Sequence, residues 1–67
     1  MNQQEFMRHQ IELGRTKHQC ALAWATAERA GTVQRTSNIN NVDALTYGEL
    51  LYKDVKRRLA KKKGGRA

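Results

Sequence analysis

The chain has 67 residues, 39% of them hydrophobic and 28% charged, with no proline, one cysteine and a net charge of +7. A chain of about 60 residues buries only about 60% of its unfolded surface, so one small domain fits and little volume is left for a desolvated active site. Lone Cys20 excludes an internal disulfide, and no apolar run approaches the roughly 20 residues that span a bilayer.

Residues 3–30 are rich in the helix formers Gln, Glu, Met, Arg, Leu and Ala. Phe6, Leu13, Cys20 and Ala27 recur every seventh position, and Met7, Ile11, Gly14, His18, Ala21 and Ala25 make a neighbouring stripe. The spacing predicts one long helix with a broad apolar face. Within it "CALAWATA", residues 20–27, is apolar almost all round and is expected to lie deepest, with Trp24 at the centre of the core. Gly14, Ala21 and Ala25 are small enough to admit a second helix at close range. Gly31 follows Arg29 and Ala30 as a left-handed stop. A competing signal lies in "LGRTKHQ": Gly14 can end one helix, and Thr16 with Gln19 has the capping-box spacing that starts another.

Residues 31–45 are polar and turn-prone, with Ser37, Asn38, Asn40 and Asn41 clustered, and read as the loop. A second helix is expected over residues 46–63. Thr46 and Glu49 have capping-box spacing, with Leu45 and Leu50 at the staple positions. Leu51, Val55 and Leu59 give it an apolar stripe at i, i+4, i+8. Gly64 stops it, and residues 64–67 are a flexible basic tail.

The fold class is therefore all-α, a single domain over residues 1–63 built as a hairpin of one long and one shorter helix. At 1.5 Å per residue the two would be about 42 and about 26 Å long. Such a hairpin leaves Phe6, Met7 and Ile11 uncovered and cannot surround Trp24, so dimerisation into a four-helix arrangement is expected. The monomeric alternative is a three-helix bundle with its break at Gly14.

Charge is distributed unevenly. Residues 1–52 hold five cations and five anions, whereas residues 53–67 hold eight cations against Asp54 alone. Lys53, Lys56, Arg57, Arg58, Lys61, Lys62, Lys63 and Arg66 thus carry the whole excess, which points to an acidic partner. Lys53, Arg57 and Lys61 fall on one helix face and suit a phosphate backbone, DNA or RNA, giving affinity with little sequence discrimination.

No catalytic constellation is apparent. His18 and Cys20 point about 200° apart on a helix and cannot share a metal, and no serine has a base and orienter in its sequence neighbourhood. No cofactor, metal or enzymatic activity is expected. The apolar face of the basic helix lacks the Trp and Phe of an interfacial membrane helix. The opening "MNQQEFMRHQ" lacks the order of a secretion signal, and a cytoplasmic setting is expected. The first expectation is a non-enzymatic nucleic-acid-binding protein, the simplest use of that basic end, acting as a homodimer or on a larger protein. The second is a protein-interaction module that inhibits or regulates a host enzyme or nucleoprotein complex, with Phe6, Met7 and Ile11 as groove anchors. In size and charge alone the chain resembles accessory proteins of phages and mobile elements; no motif supports that likeness.

Overall fold

The local signals around Gly14 decide the architecture. In the computed structural model, which describes residues 2–36 and 41–64 with side chains as far as Lys61, the described residues form three α-helices and no strand. They are α1 (Gln3–Glu12), α2 (Lys17–Ala30) and α3 (Ala44–Gly64). The single helix over residues 3–30 is thereby corrected, and the three-helix alternative with a break at Gly14 holds.

Both sides of the break are satisfied. Gly14 adopts φ 84°, a left-handed conformation that costs glycine nothing. Its N–H donates to the Ile11 carbonyl at 2.9 Å, and the Arg15 N–H donates to the Gln10 carbonyl at 3.4 Å, the paired closure of a Schellman motif. Thr16 then opens α2: its Oγ1 accepts from the Gln19 N–H at 3.1 Å, and its own N–H donates to Gln19 Oε1 at 3.0 Å. Gly31, also at φ 84°, closes α2 in the same way as Gly14 closes α1. Replacing Thr16 by Ala removes a cap worth about 1 kcal/mol, and thermal unfolding should fall by about 4–8 °C. An unchanged melting temperature would mean that the box is not what starts α2.

The break lets α1 fold back over the core. Met7 becomes fully buried, and Phe6 and Ile11 pack against the cluster of Met7, Cys20, Trp24, Val33, Tyr47, Leu51 and Val55. Burying a side chain such as Met7 contributes about 1.5–3 kcal/mol, in addition to the about 1 kcal/mol that Gly14 would cost inside a continuous helix. Leu13, expected in the apolar stripe, is left at the turn and is 54% exposed. Trp24 is fully buried within one chain and needs no second copy to cover it.

Trp24 lies between two rings. Phe6 meets it edge-on at 5.9 Å between centroids, and Tyr47 stacks on it at 5.5 Å with 25° between planes. Its Nε1–H donates to Glu28 Oε1 at 2.7 Å, and Glu28 Oε2 accepts from Arg35 Nε at 2.9 Å. The Arg35 guanidinium in turn covers the Tyr47 ring, 4.6 Å from its centroid. Tyr47 Oη donates to Gln3 Oε1 at 2.6 Å, and the same oxygen accepts the Thr36 N–H at 3.1 Å. The chain of contacts ties all three helices to residues 33–36. That stretch is irregular, as the loop reading expects, but Val33 within it is buried in the core.

Helix α3 begins two residues earlier than expected. Asp43 is the cap, its Oδ1 accepting from the Thr46 N–H at 2.9 Å, and the Tyr47 N–H already donates to the Asp43 carbonyl. The Thr46–Glu49 box is thus displaced by one turn, and Leu50 is 45% exposed rather than stapled. Hydrogen bonding by Thr46 lowers the Asp43 pKa below the usual carboxylate range, and the anion sits at the positive end of the helix dipole.

Candidate nucleic-acid interface

The basic residues are arranged by the same period that builds the core. Leu51 and Val55 are buried, and Leu59 packs against them. Two positions along a helix is a rotation of about 200°, so Lys53, Arg57 and Lys61 follow these three on the opposite side. All three cations are exposed, and among the described residues none has an ion-pair partner. The row spans about 12 Å of helix axis, the length of three or four phosphates of one strand.

The neighbouring cations are partly engaged. Arg58 Nε contacts Asp54 Oδ2 at 3.2 Å, with side-chain exposures of 64% and 43%, an exposed pair worth little. Lys56 Nζ donates to Tyr52 Oη at 3.3 Å and lies 5.5 Å from the centre of the Tyr52 ring. Tyr52 is half-buried and marks the rim of this face, whereas Tyr47 and Trp24 are enclosed in the core and present no ring for stacking. Lys62 and Lys63 belong to α3, with side chains outside the described set, and Arg66 lies outside the described residues.

One cation missed by the sequence reading comes close to this end of α3. Arg8 of α1 lines a groove of about 320 Å³ with Arg58, Glu5 and the apolar pair Val55 and Leu59. No local pattern marks Arg8, because its neighbours depend on α1 folding back across α3.

The remaining reactive groups are separated. Cys20 is fully buried, its Sγ–H directed to the Arg15 carbonyl at 3.8 Å, and His18 is exposed. Burial pushes the Cys20 thiol pKa up, with Arg15 and Lys56 opposing the shift weakly. Among the described residues no three His, Cys, Asp or Glu side chains converge to hold a metal ion, and no helix is long and apolar enough to cross a membrane. No protein family matches the chain, no characterised protein matches its sequence, and no solved structure matches its fold.

Proposed function

We propose that this chain is a small, non-enzymatic, cytoplasmic nucleic-acid-binding protein that grips the phosphate backbone with the C-terminal half of α3. The observation that carries the reading is the row of Lys53, Arg57 and Lys61, exposed on the side of α3 away from the core and without ion-pair partners among the described residues. Lys56 and Arg58 extend the same positive field, and Lys62, Lys63 and Arg66 add their charges in the sequence that follows. With Trp24 and Tyr47 enclosed, affinity comes from charge, and discrimination between sequences is slight.

A salt titration tests it. The nuclease-treated protein, mixed with labelled duplex and single-stranded oligonucleotides, should bind with log K falling linearly in log salt. The slope should be about −0.9 for each phosphate neutralised on duplex, so at least three contacts give about −3. Absence of binding at low salt would rule the reading out.

A second reading is favoured by one residue. Leu50 is 45% exposed and lies seven positions before Arg57, on nearly the same stripe as the basic row. An acidic protein surface with an apolar pocket would accept both. This reading no longer uses Phe6, Met7 and Ile11 as anchors, since they are packed into the core. A protein partner would stay bound after nuclease and salt treatment, and a nucleic acid would not.

A further inference from the structure

A helix that is apolar almost all round is ordinarily covered on every side. The segment "CALAWATA" is such a helix, yet the folded chain covers only part of it. Cys20, Ala21 and Trp24 are fully buried, whereas Leu22 on the outer side is 44% exposed. Leu22 and Thr26, one turn apart, form a ridge on the outer face of α2. A groove runs on each side of it. One is lined by Ala23 with Arg15 and Gln19. The other, of about 370 Å³, is lined by Ala25, Arg29 and the start of α3 at Asp43 and Leu45. A ridge of i, i+4 side chains flanked by grooves is the shape that another such ridge fills.

The charges identify the occupant. Arg29 and Asp43 border the same groove, and among the described residues neither lies within ion-pair distance of an opposite charge, the field of Arg35 on Asp43 acting from farther off. A patch with a cation and an anion on either side of an apolar centre is complementary to itself. Under a two-fold rotation Arg29 of each chain faces Asp43 of the other, and Leu22 enters the opposing groove. The basic excess lies at the far end of α3 and is not concentrated at this contact. We infer that the outer face of α2, with the start of α3, binds a second copy of this chain. The inference is independent of the nucleic-acid reading, and its test contains no nucleic acid.

Sedimentation over a concentration series from micromolar to millimolar provides that test. The parent chain should associate to a dimer. Leu22→Glu changes an exposed residue and should sediment as a monomer with an unchanged helical circular-dichroism spectrum; Thr26→Glu is a second disruption at another exposed position. Asp43→Asn keeps a good helix cap while removing the charge. It should weaken association several-fold, as should Arg29→Gln, and added salt should weaken the parent in the same direction. A parent that stays monomeric throughout the series overturns the inference. So does association that survives in folded Leu22→Glu or Thr26→Glu protein.

Discussion

Replacing Gly48 with alanine should lower the melting temperature, although alanine is the better helix former. Gly48 is inside α3, where helix propensity alone favours alanine by about 1 kcal/mol. A Cβ at this position would lie 2.8 Å from Ala21 Cα, 3.2 Å from the Ala21 carbonyl oxygen and 3.2 Å from Trp24 Cβ. Two of those atoms are backbone and cannot rotate aside, so α2 and α3 must move apart. Overpacking of this kind costs about 1–3 kcal/mol and occasionally more, and here the separation also loosens Tyr47 from Trp24. We expect a net loss of about 1–2 kcal/mol for Gly48→Ala, or roughly 5–15 °C in a domain of this size. Gly48→Val adds two further methyl groups at the same contact. Total stability at this length is of the order of 3–10 kcal/mol, and the valine variant is expected to be largely unfolded at 37 °C. An alanine variant more stable than the parent would show that the helices do not approach so closely.

The largest functional effect is expected from replacing Arg57, Lys61 and Lys62 together by glutamine. Glutamine keeps similar helix propensity, and Arg57 and Lys61 are exposed, so thermal unfolding should be nearly unchanged. Each phosphate contact contributes about eightfold at roughly 0.1 M salt relative to 1 M, so losing three should weaken binding by about 500-fold. The salt slope should shrink by about 2.7 over the same titration. A variant that binds like the parent would remove α3 from the interface. Equal losses on unrelated sequences would mark contact with phosphates rather than bases.

The features legible in the sequence are those set by neighbours along the chain. The helical class, the stop at Gly31, the apolar stripe of Leu51, Val55 and Leu59, and the burial of Trp24 all follow from local chemistry and period. The break at Gly14 was also visible, but local terms of about 1 kcal/mol stand on each side of that choice. What decides it is the packing of Met7, Phe6 and Ile11 into a cluster whose other members come from α2, Val33 and α3, far from α1 in sequence. The same holds for Val33 and Arg35, which read as polar loop because their partners, Tyr47 and Glu28, are supplied by two helices. Helix α3 illustrates a different failure. Asp43 and Thr46 are both good caps three residues apart, and their types alone do not say which one caps. As for the candidate interface, the row on α3 follows from a period of 3.6 residues, whereas Arg8 enters only through the fold.

Burial of Cys20 gives the molecule a built-in clock. The thiol is the only one in the chain, it is fully enclosed beside Trp24 in the core, and burial raises its pKa. Little reactive thiolate exists at neutral pH, and a bulky alkylating reagent has no route to the sulfur while the helices are closed. Modification therefore proceeds through opened states, at a rate set by how often the core comes apart. A single natural atom thus reports the opening of the whole domain, with no label added to the basic surface.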